Sequence, residues 1–260
     1  MKISAVIIAG NEEKKIGDAI RSVAWADEVL VIDSESTDRT REIAAELGAR
    51  VIVQPWLGFS AQKQYGADAA SNDHILSLDA DERVSDDLRD EIRGLTDKGS
   101  SIAAGYRIPR LSYYMGRPIR HSGWYPDHQL RLFDRRHARW NGALIHESVT
   151  VENGSVDKLN GHILHYTVDN ALEHHRMIGT RYAPLAAQQM VERGKRTSPV
   201  RLYTSGAAAF LRSYVLKLGF LDGLPGFCIA RFAGHHAFLK HLCLWELQNS
   251  GDAASTPTDN

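Results

Sequence analysis

Several features that would assign this chain to a particular class are missing from its sequence. Its two cysteines are too few for a disulfide framework or a four-cysteine zinc site, and they fit a reducing cytosolic compartment. No uncharged run reaches the roughly 18 residues that a transmembrane helix needs. The formal net charge of −1 argues against a strongly basic chain, so we expect no nucleic-acid partner.

Glycine-rich nucleotide motifs are missing as well. No G-x-G-x-x-G follows the first apolar run, which argues against a dinucleotide oxidoreductase. Neither G-x-x-x-x-G-K-[ST] nor G-x-S-x-G occurs, which excludes the usual P-loop enzymes and α/β-hydrolases. The loop after the first run reads Asn11-Glu12-Glu13, where a nucleotidyltransferase would carry a glycine-rich loop with an arginine.

The residues that are present predict an α/β fold. Apolar runs over 3–9, 28–32, 51–53 and 74–78 predict strands, and helical patterns lie between them. This alternation predicts a mostly parallel sheet with helices on both faces. Shorter strands over 105–111, 129–133 and 148–151 are expected to complete the sheet, and helices are predicted over 171–193, 204–218 and 228–247. We therefore expect a catalytic domain over 1–168, a helical extension over 169–247 and a disordered tail over 248–260.

Charge is divided unevenly along the chain. Residues 1–100 hold 20 acidic and 12 basic side chains, whereas residues 193–241 hold eight basic side chains and one acid, Asp222. Aromatic and aliphatic residues are interspersed with these basic side chains, a pattern typical of helices that lie in a membrane interface. A helical pair packed on the core is the alternative interpretation.

Three polar clusters directly follow predicted strands, at 11–13, 33–38 and 79–82. The carboxyl ends of parallel strands meet at one edge of a sheet, where ligands bind. Asp79 and Asp81 are two residues apart, and hard oxygen ligands of this kind suit Mg²⁺ or Mn²⁺. Asp33 ends an otherwise apolar strand, a position at which an acid commonly bonds a ribose or a base edge.

The motifs IIAGNEE, VIDSESTDRT and LSLDADE together resemble the signatures of family 2 glycosyltransferases, which have the GT-A fold. HSGWYPDHQLRLFDRR, WNGALIHESV and RSYVLKLGFLDGLPGF further resemble the lipopolysaccharide core subgroup, which includes β-1,4-glucosyltransferases. The resemblance implies inverting transfer from a nucleotide sugar, with UDP-glucose as the expected donor and Mg²⁺ or Mn²⁺ as cofactor. It implies that these residues contact the donor: Asn11, Glu12, Asp33, Lys63 and Asp79. Arg131 alternates with Leu130 and Leu132, so its side chain is predicted to face inward and bind a donor phosphate, and a surface arginine on a strand is the alternative.

The same resemblance guides the remaining site predictions. Inverting transfer needs a carboxylate that accepts the proton of the acceptor hydroxyl, and Glu147 is the first candidate, with Asp127 the second. The implied metal ligands are Asp81, Asp79 and His165, and a structural histidine is the alternative for His165. Trp124 and Tyr125 are predicted to stack on an acceptor sugar, and ordinary core packing is the alternative for both.

We therefore predict a metal-dependent hexosyltransferase that acts on a lipid-linked saccharide such as the lipopolysaccharide inner core. It is expected to bind the inner, cytoplasmic face of the membrane peripherally. A sugar nucleotidyltransferase and a non-catalytic, membrane-associated nucleotide-binding module are the alternatives.

Overall fold

A computed structural model describes residues 1–97, 103–142, 147–168 and 170–249. These residues form two compact units. The first unit comprises Met1–Ser112 and Pro126–Tyr166, and the second comprises Tyr113–Tyr125 and the chain from Thr167 onward. The predicted domain bounds stay a prediction, and residues 250–260, most of the predicted tail, lie outside the described residues.

The first unit is built around one large sheet. Its helices are α1 (Ile16–Ser22), α2 (Thr40–Glu46), α3 (Phe59–Ala69) and α4 (Asp86–Asp97). The strands in chain order are β1 (Ile3–Ala9), β2 (Glu28–Asp33), β3 (Arg50–Val53), β4 (His74–Asp79), β5 (Glu82–Val84), β6 (Gly105–Tyr114), β7 (Arg117–Pro118, paired with the end of β6 in the second unit), β8 (Asp127–Asp134), β9 (Ala138–Trp140), β10 (Val149–Val151), β11 (Val156–Lys158) and β12 (Ile163–His165).

The main sheet has the strand order β3-β2-β1-β4-β8-β6-β12-β5. β1 to β4 are mutually parallel, whereas β8 runs antiparallel to both β4 and β6. The predicted α/β class, with a mostly parallel sheet flanked by helices, is therefore confirmed. One prediction is wrong in detail, because β10 does not join this sheet but pairs with β9 in a separate two-stranded ribbon.

The apolar strands are buried on both faces, which explains their nearly continuous hydrophobic sequences. In β1, Ile3 and Ile7 pack into a core that includes α1 and α4, whereas Val6 and Ile8 pack into a second core on the α3 side. Gly66 lets α3 approach β1 closely, since a Cβ atom there would lie 2.5 Å from Cγ1 of Val6. The two faces of one sheet are thus covered by helices, as βαβ connections require.

The second unit is helical. It contains α5 (Ala171–Met177), a π-helical turn (Ile178–Tyr182), α6 (Ala183–Glu192), α7 (Pro199–Leu211), a second π-helical turn (Arg212–Leu216), a 3-10 turn (Gly219–Asp222) and α8 (Gly223–Asn249). The helix predicted over 171–193 thus contains a π-helical turn. α7 begins where the Ser198 hydroxyl accepts the backbone N–H of Arg201 and Pro199 follows. In the described part of the chain, no helix has the length and hydropathy needed to cross a bilayer.

Candidate active site at the carboxyl edge of the sheet

The three polar clusters come together as the sequence predicts. β2 and β4 flank β1 in parallel, with Ala9 aligned with Asp33 and Ile8 aligned with Asp79. The loops that follow these strands therefore leave the sheet at the same edge. This edge is the expected ligand position in an open α/β sheet.

Asn11 and Asp33 shape the loops after β1 and β2. Asn11 has a left-handed backbone with φ of 57°, and its backbone N–H donates to the Ser36 hydroxyl at 2.8 Å. Its side-chain oxygen accepts the backbone N–H of Thr37 at 2.9 Å. Asp33 is fully buried and accepts both the backbone N–H and the hydroxyl of Ser36. The Asn11 bonds join the two loops, and the Asp33 bonds fix the loop after β2, so both residues have a structural role besides the predicted contact with a donor.

Glu12 lies at the start of α1. Its backbone N–H donates to the Thr40 hydroxyl at 2.8 Å, and its carbonyl accepts from the backbone N–H groups of Lys15 and Ile16. Its side chain is partly exposed. Glu12 therefore sits at the same loop junction as Asn11, and its contact with the donor stays a prediction.

Asp79 lies between two buried cations. The Lys63 ammonium is 3.0 Å from its Oδ1, and Nη2 of Arg131 is 3.0 Å from its Oδ2. Burial alone would raise the pKa of the Asp79 carboxyl, but Lys63 and Arg131 outweigh burial and hold that pKa well below its usual range. Asp79 is therefore a permanent anion whose charge two cations already share.

Arg131 extends this cluster to a fully buried carboxylate, Glu82. The Arg131 Nη2 lies 2.9 Å from Glu82 Oε1, and Glu82 also accepts the Asp79 backbone N–H at 3.0 Å. Burial would lower the pKa of the Arg131 guanidinium, but Glu82 and Asp79 raise it above its ordinary value. The predicted inward orientation of Arg131 is thus matched by its burial.

Arg110 continues the chain of ion pairs from Glu82 to Asp127. Its Nη1 lies 3.1 Å from Glu82 Oε1, while its Nε and Nη2 donate to Asp127 Oδ2 at 2.9 and 2.7 Å. Gln129 donates to the other oxygen of Asp127 at 2.6 Å. Alternating cations and anions therefore connect Lys63 to Asp127 without a break.

Glu147 also contacts Lys63, at 3.3 Å between Oε1 and the ammonium. Lys63 is only 1% exposed, and its ammonium lies 5.0 Å from the centre of the Trp140 ring. Residues 143–146, which precede Glu147 in its motif, lie outside the described residues. Lys63 therefore joins both predicted carboxylates, Asp79 and Glu147, in one cluster.

Asp81 and His165 form a separate pair. The Asp81 carboxylate is 3.4 Å from Nε2 of His165, and Ser112 lies 3.3 Å from the Nδ1 of the same ring. Asp79 does not join them: among the described residues, no group of three or more His, Cys, Asp or Glu side chains is placed to hold a metal. A pair of partly exposed oxygen and nitrogen ligands still suits an ion that also binds substrate phosphates. The metal role of all three residues stays a prediction.

Trp124 and Tyr125 belong to the second unit. The Trp124 ring packs edge-on against Tyr114, with centroids 5.9 Å apart, beside Ile119 and Ile229. The Arg120 guanidinium lies 5.7 Å from the centre of the Tyr125 ring. These contacts match the core-packing alternative for Trp124, and the acceptor role of both residues stays a prediction.

Two residues of the ion-pair chain were not predicted as site residues. Glu82 stands in the DADE sequence, but a helix-capping acid would look the same. Arg110 lies in the strand YRIPRL, where a second arginine, Arg107, is exposed. The sequence alone offers no signal that separates the inward arginine from the outward one.

Comparison with known proteins identifies the family of this chain. The sequence matches the family model described as glycosyl transferase family 2 over residues 4–151, more than half of the chain. The chain belongs to this family. An uncharacterized glycosyltransferase of Rickettsia typhi is 34% identical, over 95% of this chain and 87% of the relative. The lipopolysaccharide core biosynthesis glycosyltransferase LpsC of Rhizobium meliloti is 30% identical, over 92% and 90%.

Among solved structures, glucosyl-3-phosphoglycerate synthase of Mycobacterium tuberculosis is similar with a TM-score of 0.46 and 20% identity. The match covers 76% of this chain and 80% of that one, and that protein was crystallised with Mn²⁺, UDP and phosphoglyceric acid. Family membership and the sheet order confirm the predicted GT-A fold class. The chain is therefore a glycosyltransferase, which favours glycosyl transfer over the nucleotidyltransferase and binding-module alternatives.

Proposed function

We propose that this enzyme is a metal-dependent, inverting glycosyltransferase that moves a sugar from a UDP-sugar, with glucose as the expected sugar, to a lipid-linked saccharide. The observation that carries the proposal is the cluster of Lys63, Asp79, Arg131 and Glu147 at the carboxyl edge of a family 2 sheet. The lipopolysaccharide inner core is the acceptor that fits best, because a relative of nearly equal length is named for lipopolysaccharide core biosynthesis.

The donor end of the site contains both anions and cations. Asn11, Glu12 and Asp33 lie at the loops where the nucleoside would sit, and Asp81 with His165 would hold the metal beside the diphosphate. A divalent ion there supplies the positive charge that stabilises the nucleoside diphosphate as it leaves. Asp79, already neutralised by Lys63 and Arg131, is better suited to position donor groups than to supply a second full charge to the metal.

Glu147 is the better candidate for the base. Asp127 accepts two hydrogen bonds from Arg110 and one from Gln129, so its lone pairs are largely occupied. Glu147 is partly exposed and forms an ion pair with Lys63. In the proposed step, the acceptor oxygen attacks the anomeric carbon opposite the diphosphate, Glu147 takes the hydroxyl proton, and the nucleoside diphosphate departs.

We also propose that the enzyme binds the cytoplasmic face of the membrane peripherally. The second unit exposes large apolar side chains, among them Leu216, Leu221 and Leu224. Basic side chains accompany them, which favours an anionic lipid surface. A lipid-linked acceptor would be presented at that surface.

The decisive experiment is a panel of nucleotide sugars assayed with Mg²⁺ or Mn²⁺, with released nucleoside diphosphate as the readout. We expect release with a UDP-sugar, dependence on the metal, and loss of release in Asp81→Ala. Asp68→Ala, which changes an exposed aspartate on α3, is the matched control and should retain activity. Full activity of Asp81→Ala with the metal chelated would contradict the proposed mechanism.

A further inference from the structure

The segment that connects α7 to α8 exposes an unusual concentration of apolar side chains. This segment, residues 212–224, is called the α7–α8 tip. Its large exposed apolar residues are Val215, Leu216, Leu218, Phe220, Leu221 and Leu224. Leu216 is 76% exposed, so the side chain has little contact with the rest of the protein. Contiguous exposed apolar surface of this kind marks an interaction site.

The tip is held in a fixed shape by polar contacts within the second unit. The Ser122 backbone N–H donates to the Lys217 carbonyl at 2.9 Å, and the Ser213 hydroxyl donates to the Ser122 carbonyl at 3.2 Å. Gly219 and Gly226 approach closely, because a Cβ atom at Gly226 would lie 1.9 Å from the Gly219 carbonyl oxygen. The exposed apolar side chains therefore project from an ordered turn.

Charge at the tip is positive. Arg212 and Lys217 are its two basic residues, and Asp222 is its one acid. The Asp222 carboxylate is only 6% exposed and accepts the His121 backbone N–H at 2.9 Å, and its other oxygen lies 2.9 Å from the His121 ring. The acid is therefore turned inward, and the surface presents apolar groups beside cations.

We propose that the α7–α8 tip inserts into the boundary between headgroups and acyl chains of an anionic bilayer. This inference rests on the peripheral association proposed above and names the element responsible. Lipid is favoured over a protein partner because apolar side chains and cations lie together on a turn that carries no exposed acid. Several of its backbone groups are already bonded internally, as a segment that enters a bilayer requires.

The test compares two variants that remove exposed apolar surface from opposite ends of the α7 region. The tip variant is Leu216→Ser with Leu221→Ser. The matched control is Val200→Ser with Tyr203→Ser, which changes two residues that are 69% and 84% exposed at the start of α7. Binding is measured by sedimentation with mixed phosphatidylcholine–phosphatidylglycerol vesicles and with pure phosphatidylcholine vesicles.

We expect the tip variant to weaken binding to the mixed vesicles at least about tenfold, and the control variant to bind nearly as the parent does. The parent should bind pure phosphatidylcholine more weakly than the mixed vesicles. Brominated lipid should quench the fluorescence of the introduced tryptophan in Leu221→Trp but not in Tyr203→Trp. In each case the fluorescence of the parent is subtracted. Soluble UDP binding should be unchanged in every variant, and circular dichroism should show that each variant keeps the helix content of the parent.

Other outcomes would overturn the proposal. An equal loss of vesicle binding in both double variants would mean that exposed apolar area in general, and not the α7–α8 tip, drives membrane binding. Unchanged binding in the tip variant would refute tip insertion and leave peripheral association standing. No vesicle binding by the parent would refute both, while UDP-sugar turnover would still test glycosyl transfer. A parent dimer that the tip variant dissociates would identify the surface as a protein interface.

Discussion

Replacing Glu82 with glutamine removes the negative charge that Arg131 and Arg110 share. The substitution keeps the volume of the side chain and one acceptor oxygen. It leaves the buried guanidinium of Arg131 and the partly exposed guanidinium of Arg110 facing a neutral amide, in a position where the glutamate is fully buried. The perturbation therefore removes one negative charge and turns one of the two acceptor oxygens of Glu82 into a donor.

The expected cost is large for a conservative change. Breaking a buried ion pair by removing one partner costs about 3–5 kcal/mol, and the retained acceptor places this variant near the lower end. For a chain near this size, each kcal/mol lowers the melting temperature by about 2–4 °C, so we expect a fall of roughly 6–12 °C. Thermal unfolding followed by circular dichroism at neutral pH measures it.

The control is Glu28→Gln. Glu28 is the first residue of β2, at the opposite end of that strand from Asp33. Glu28 also accepts several hydrogen bonds, from Ser4, Ser71 and Arg50, but it lies away from the site. Its loss should cost about 1–2 kcal/mol and leave UDP binding unchanged. A second comparison is the double variant of Glu82→Gln with Arg110→Met, which should cost less than the sum of its parts because it removes both partners. A Glu82→Gln variant within about 1 kcal/mol of the parent would refute the electrostatic argument.

Three further predictions concern the base, acid stability and packing. Glu147→Gln should reduce turnover far more than donor affinity in the nucleotide-release assay, and the same behaviour in Asp127→Asn instead would reverse the assignment of the base. Burial opposes ionisation of Glu28, but its hydrogen bonds lower its pKa from 4.5 to about 2. The free energy of unfolding should therefore fall as the pH drops from about 4.5 to about 2. This fall should be smaller in Glu28→Gln, which has no carboxylate to protonate. Gly66→Ala should cost about 1–3 kcal/mol in urea unfolding through a clash with β1, whereas Gly94→Ala, with open space around the added atom, should not destabilise the fold.

The sequence predicts the parallel half of the sheet well because its signals are local and strong. β1 is a continuous apolar run, and its neighbours β2 and β4 end in polar clusters. Parallel pairing then places the carboxyl ends of these strands at one edge of the sheet. The positions of Asn11, Asp33 and Asp79 at that edge can therefore be predicted from the strand order. Their convergence follows from topology alone.

What the sequence does not predict depends on long-range pairing. The strand predicted over 148–151 pairs with β9 and not with the main sheet, because partner choice is not encoded in a three-residue apolar pattern. Arg110 meets Glu82 only because β6, β8 and β5 are brought together by the fold. Strand alternation indicates that Arg131 can face inward, but it does not indicate which acidic side chains Arg131 contacts.

Lys63 lies between Asp79 and Glu147, and this shared contact makes the two carboxylates thermodynamically dependent on each other. One ammonium cannot neutralise both fully, so any ligand that draws charge from Asp79 leaves Lys63 more available to Glu147. The coupling is reciprocal: neutralising Asp79 should strengthen the contact between Lys63 and Glu147, and neutralising Glu147 should strengthen the contact between Lys63 and Asp79 by the same free energy. The two carboxylates therefore compete for one buried cation, and neither can be changed without altering the electrostatic surroundings of the other.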